Sequence, residues 1–167
     1  MNRFALAFAT ALSALPAAAD PAPGAPVAAL EDREIKALSS DRQDALRQGR
    51  GVGLALAAEL NGYPGPMHVL ELGEALNLTA AQRMQTEEAF ERMRRGALAI
   101  GEEIITAERE LDRLFASGQP TSHLVVTLTE DIAAAEGRLR AVHLNAHVEM
   151  AAILRADQIA DYRRLRG

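Results

Sequence analysis

The 167-residue chain contains no cysteine and no tryptophan, and only two tyrosines and four phenylalanines. Without cysteine there can be no disulfide framework, no thiol nucleophile and no thiolate metal site. Basic residues are not in excess: 18 lysines and arginines face 23 acidic residues, for a net charge of -5. A nucleic-acid partner, which needs a basic stripe or patch, is therefore not expected. Beyond the amino terminus no apolar run approaches the roughly 20 residues of a membrane-spanning helix; the longest candidate, Val52 to Ala58, is far too short. No segment reads as a strand, so there is no strand-to-glycine loop to cradle phosphates. The serines fall in caps, turns or the amino-terminal apolar run. Paired carboxylates such as Glu102 and Glu103 are adjacent and point apart on a helix. Enzymatic activity is not expected.

What the chain does have begins at Met1-Asn2-Arg3, followed by the apolar run Phe4 to Leu15 and then Pro16-Ala17-Ala18-Ala19. A charged start, a greasy middle of about a dozen residues and an A-x-A site make a cleavable secretion signal. We expect cleavage between Ala19 and Asp20, and therefore residues 1 to 19 as a signal peptide and work outside the cytoplasm. Cleavage removes Arg3, leaving 17 basic and 23 acidic residues. Residues 20 to 40, with Pro21, Pro23 and Pro26, read as a flexible leader.

Short helical pieces occupy 41 to 76. Ser40 can cap a helix starting at Asp41, with Gln43 completing the box, until Gly49-Arg50-Gly51-Val52-Gly53 interrupts it. A second piece, Leu54 to Leu60, ends at the turn Asn61 to Pro66, and Pro66 then suits the first turn of a helix reaching about Leu76. Residues 77 to 167 form the main domain. Two long helices are predicted, about Ala80 to Ala116 and Ser122 to Leu154, separated by Ser117-Gly118-Gln119-Pro120-Thr121. So short a connection makes them an antiparallel hairpin. Phe90, Met93, Ala97, Ile100, Ile104, Ala107, Leu111 and Leu114 on the first helix alternate spacings of three and four. Val125, Leu128, Ile132, Ala135, Leu139, Val142 and Ala146 answer on the second, giving matched coiled-coil seams. At 1.5 Å per residue each arm is roughly 50 Å long. The fold class is all-α: a long hairpin with short flanking helices.

A second apolar strip lies off the seams at Leu98 and Ile105, with Gly101 between them allowing close approach. Phe115, Val126 and Leu144 also lie off the seams. This surface needs a partner, which the short helices, a second copy of the chain or a client could supply. A different chemistry is offered by His143 and His147, four residues apart on one helix face, with Met150 just beyond and Glu136 two turns before. Two neutral imidazoles at this spacing can share a divalent ion such as zinc, copper, nickel or cobalt. His143 lies beside the seam and His147 points further outward, so both are expected at the surface unless they bind metal. No other cofactor is implied.

Leu78-Thr79-Ala80-Ala81-Gln82 opens the first long helix as a capping box, Thr79 at the cap and Gln82 at the third helical position. A degraded copy, Leu154-Arg155-Ala156-Asp157-Gln158, follows the second long helix and opens a short terminal helix, Ile159 to Arg166. In the order of signal peptide, short helix, LTxxQ element, long hairpin and second LTxxQ-like element, the sequence resembles the Spy/CpxP family of bacterial periplasmic proteins. That LTxxQ group includes periplasmic heavy-metal sensors and zinc-resistance-associated proteins. The resemblance covers about Met67 to Arg166. It implies a hairpin that pairs into a curved homodimer, a periplasmic location, and either ATP-independent chaperone activity on unfolded or stress-damaged envelope proteins or the sensing of envelope and metal stress. A separate expectation is a purely structural partner that docks on a membrane-bound stress regulator. The family's metal-sensing branch uses an H-x3-H or H-x3-M pair, which His143, His147 and Met150 resemble. That branch adds ligands from an amino-terminal segment, where this chain offers only His68. Arg155 stands where the family has threonine, so the second cap loses its hydroxyl. The region before Met67 does not map onto well-known members.

Overall fold

A computed structural model describes residues 30–166. The expected signal and residues 20–29 of the expected leader lie outside the described residues; residues 30–40, expected to belong to that flexible leader, are instead held by Ile35 and Leu38, both buried in the core. Among the described residues there are six helices of four residues or more and no strand: α1 (Ser40–Arg47), α2 (Leu56–Glu59), α3 (Pro66–Glu71), α4 (Ala80–Ala116), α5 (Ser122–Ile153) and α6 (Ala156–Arg166). The described residues are therefore all-helical in class, as the sequence pattern leads one to expect. No helix among these residues is long and apolar enough to cross a membrane.

The long helices start and stop where local chemistry tells them to. The Thr79 hydroxyl accepts from the Gln82 amide at 3.2 Å, while the Gln82 side chain accepts from the Thr79 N–H at 3.1 Å. This reciprocal box satisfies two of the donors that a helix start leaves free. α4 then runs 37 residues without proline. It ends where Gly118 adopts φ 70°, a left-handed turn that carries no Cβ penalty in glycine. Four residues past Ser117, Thr121 caps α5 by accepting from the Leu124 amide at 3.3 Å. α4 and α5 run side by side in opposite senses: Arg92 pairs with Glu149, Gly96 faces Val142, and Glu103 pairs with Arg138. Every predicted seam residue is buried or half-buried, Ala97, Ile104, Ala135, Leu139 and Ala146 most deeply.

The shorter elements depart from expectation at their ends. Ser39, not Ser40, caps α1, its hydroxyl accepting from Arg42 N at 3.1 Å, and Gln43 turns instead to the Leu38 carbonyl. α2 shrinks to one turn and α3 stops at Glu71, because residues 72–76 close in tight turns that bring Leu76 inward. α6 begins three residues earlier than predicted, directly after the bend at Leu154.

Two cores result. In the first, Ile35, Leu38 and Leu46 from the amino-terminal segment pack on Ala97, Ile104, Ile105, Ala135 and Leu139. In the second, Val69 and Leu76 pack with Ala89, Met150, Leu154 and Tyr162. Gly101 makes the first core possible, because a Cβ there would stand 2.6 Å from the Leu46 carbonyl oxygen. α1 thus lies backbone-close on α4. Of the three covers expected for the face marked by Leu98 and Ile105, the chain's own amino-terminal segment is the one seen here, and Ile105 is 1% exposed.

The second core is closed by an amide clasp. Gln82 and Gln158 are both buried, and each donates to the other's side-chain oxygen, at 2.8 and 3.1 Å. Gln82 also donates to the Ile153 carbonyl at 3.0 Å, and Gln158 to that of Leu76 at 3.0 Å. The Gln158 oxygen accepts from Arg155 N at 3.0 Å, as the Gln82 oxygen does from Thr79 N. The second motif has lost its hydroxyl, since the Arg155 side chain pairs with Asp157, but keeps the glutamine half of the box. Truncating either glutamine leaves several buried groups unpaired, each costing about 1–3 kcal/mol. We expect Gln82→Ala and Gln158→Ala each to lower unfolding free energy by about 2–3 kcal/mol, and the double variant by at least about 1 kcal/mol less than their sum. Chemical denaturation of the four proteins measures this, and strict additivity would show that the clasp is not a unit.

Candidate functional site

α5 presents His143 and His147 between the two cores, and the amino-terminal segment folds over both. His143 is 5% and His147 4% exposed, so the expectation of a surface pair is overturned. The reason is a third layer that helix periodicity cannot reveal. The backbone at Gly51 sits on the His143 ring, and the backbone at Gly65 on the His147 ring. A Cβ at Gly51 would lie 2.9 Å from His143 Nδ1, and one at Gly65 the same distance from His147 Cε1. Only glycine permits the two turns to reach the imidazoles so closely.

The two rings have different partners. His147 Nδ1 lies 2.9 Å from the Tyr63 carbonyl oxygen. A carbonyl only accepts, so Nδ1 carries the proton and Nε2 the lone pair when the ring is neutral. His143 Nε2 is buried with no hydrogen-bond partner. Burial, and after it the neighbouring His147 and Arg42, push the His143 pKa below the ordinary imidazole range. Arg42 reaches in from α1 and is gripped by both carboxylate oxygens of Glu136, each at 2.7 Å. Beside the second turn, Tyr162 accepts from the Gly65 amide at 3.3 Å, and burial raises its pKa. Desolvation, with Glu136 adding to it, raises the pKa of Glu108.

The other residues singled out by the sequence fall in separate places. Met150 is fully buried in the second core. Glu136 is occupied by Arg42, and His68 Nδ1 stands 2.8 Å from the Glu71 carboxylate. Among the described residues no three histidines, aspartates or glutamates gather as a metal-holding group. The donor set at α5 is two imidazoles, one of them carrying an unpartnered nitrogen. Phe115 and Val126 are 56% and 53% exposed, and Leu98 and Leu144 are half-buried. Leu124 and Val148, which the sequence reading passed over, are exposed as well. It also missed Gly51, Tyr63, Gly65 and Arg42 as neighbours of the histidines. The available signal was the density of glycine at 49–53 and 61–66, which reads as turn chemistry and not as close approach. No protein-family model matches the chain, and no curated protein or solved structure does.

The pKa of His143 gives the site a pH dependence of definite sign. The folded protein holds His143 neutral more strongly than the unfolded chain does. Its contribution is therefore present above the ordinary imidazole pKa and is lost as pH falls from there toward the depressed folded value. As pH falls from 7 to 5 the unfolding free energy should fall, with a slope from this group of at most about 1.4 kcal/mol per pH unit, and the thermal midpoint should fall with it. His143→Gln, neutral throughout, should flatten the profile; an identical slope in the variant would assign the dependence elsewhere.

Proposed function

We propose that this chain is an exported, periplasmic protein of Spy/CpxP type that binds unfolded or stress-damaged envelope proteins without ATP. Its long helices would act as a hairpin arm, two copies pairing into a curved homodimer. The observation that carries this reading is the clasp: two LTxxQ-type helix starts, Thr79 to Gln82 and Arg155 to Gln158, both at the open end of the long helix pair and joined through their glutamines. The order of elements around it, with a secretion signal in front, supports the same family. Weak binding and release of unfolded chains needs extended apolar surface rimmed by charge and no catalytic group. Phe115, Leu124 and Val126 supply exposed apolar side chains near the turn between α4 and α5, with Leu98 and Leu144 further along the helices. Such a surface also suits docking on a membrane-bound stress regulator.

A second reading, a periplasmic metal sensor or metal-binding resistance protein, is favoured by one observation, the unpartnered nitrogen of His143. His143 and His147 would hold a divalent zinc, copper, nickel or cobalt ion, with Met150 turned away into the second core. Two experiments separate the readings. Stoichiometric mature protein should suppress aggregation of a denatured client in the absence of nucleotide; no suppression at several-fold excess would sink the chaperone reading. Under the metal reading, calorimetric titration should show binding at micromolar or tighter affinity that disappears in His143→Ala, and flat titrations with all four metals would dismiss it.

A further inference from the structure

Residues 30–54 meet the long helices in a way that differs from the rest of the molecule. Their one helix, α1, has eight residues and could not persist alone. Three side chains, Ile35, Leu38 and Leu46, provide most of their apolar anchorage, and backbone touches backbone at Gly101. Around the edge run ion pairs: Arg42 with Glu136, Arg109 with Glu34, and Lys36 with Asp112. Lys36 and Glu34 are exposed, so the two pairs they make are open to screening by salt, while the Arg42–Glu136 pair is partly buried and is the firmest of the three.

This closed arrangement also carries an unfavourable term. Val52 holds φ at 29°, a left-handed backbone that a β-branched residue adopts only under constraint. Downstream the chain is fixed differently. Pro64 is fully buried, Gly65 donates to Tyr162, and Val69 and Leu76 sit inside the second core. Opening can therefore stop at the glycine turn Gly51-Val52-Gly53 and leave the clasped base intact. It would uncover Leu98, Ile104, Ile105, Leu139 and Val142 on the same two helices whose connected ends already display Phe115 and Val126.

We propose that residues 30–54 form an autoinhibitory strap, occupying the apolar face of α4 and α5 that takes unfolded polypeptide and detaching to expose it. The inference rests on the client-binding reading given above. A site that is mostly covered binds with an affinity reduced by its open fraction, so loosening the strap must raise apparent affinity. Gly101→Ala places a methyl group against the Leu46 carbonyl while favouring helix in α4, and so should displace the strap without harming the arm. Leu46→Glu reaches the same end from the strap itself.

Two readouts on the mature chain and both variants test the proposal: hydrogen–deuterium exchange of the α1 amides, and aggregation of guanidine-denatured citrate synthase on dilution. Exchange in α1 should rise about tenfold or more in both variants, and half-suppression should need several-fold less protein than in the unaltered chain. Variants that open yet protect no better overturn autoinhibition and leave client binding standing. If α1 opens and none of the three proteins protects, both readings fall. Unchanged exchange in both variants overturns the strap, because the segment is then not a detachable part.

Discussion

The rest of the structure depends on the paired side-chain amides of Gln82 and Gln158. Each glutamine does three things at once: it reaches back to the start of its own helix, accepts from the other glutamine, and donates to a backbone carbonyl of the opposite segment. A buried network satisfied to this degree fixes one geometry, because any shift leaves several polar groups without partners. It ties the beginning of α4 to the end of α5 and the start of α6. With no disulfide available, this is the chain's substitute for a cross-link at the open end of the long helices.

Away from the clasp the structure becomes progressively less supported. The second core surrounds the base and includes Met150 and Tyr162; the first rests on a segment of short elements held by three apolar side chains. Beyond that, from about Arg113 to Leu128 near the turn, the seam residues of the two long helices are half-buried at best. The gradient fits the proposed holding of unfolded chains. A firm base keeps the helices in register, and under that proposal the parts that would meet a client are the ones whose apolar surface is thinly covered or open.

Which parts could be read from the sequence follows from the range of the interactions that make them. The boundaries of α4 are set by a threonine, a glutamine and a glycine within a few residues of the ends, and they were legible to the residue. The seams were legible because two matched periods of three and four need only each other. The surface placement of His143 and His147, and the open choice of cover for Ile105, have a common origin. Periodicity gives the angle of a side chain around its own helix, but not whether a third segment lies above it. That segment is seated by Gly51, Gly65 and Gly101, whose missing side chains leave no hydrophobic signal. Glycine clusters at 49–53 and 61–66 announced turns and concealed the fact that those turns close over imidazoles. The clasp itself was half legible: each motif predicted a helix start, and nothing local predicted that the two starts would bond to one another.

The proposed export and the architecture fit a single account. Under that proposal the chain works in a compartment without ATP, where a clasped helix pair with a thinly held cover needs no nucleotide to expose or hide apolar surface. Its central claim is that stability is concentrated at the clasp. Native-state hydrogen exchange in increasing denaturant on the mature protein tests this most directly. Amides of Gln82 and Thr86 in α4, and of Met150 and Gln158 at the junction of α5 and α6, should exchange only by global unfolding, after α1 and the ends of α4 and α5 near residues 113–128 have opened. Exchange of the clasp amides together with or before those regions would contradict it.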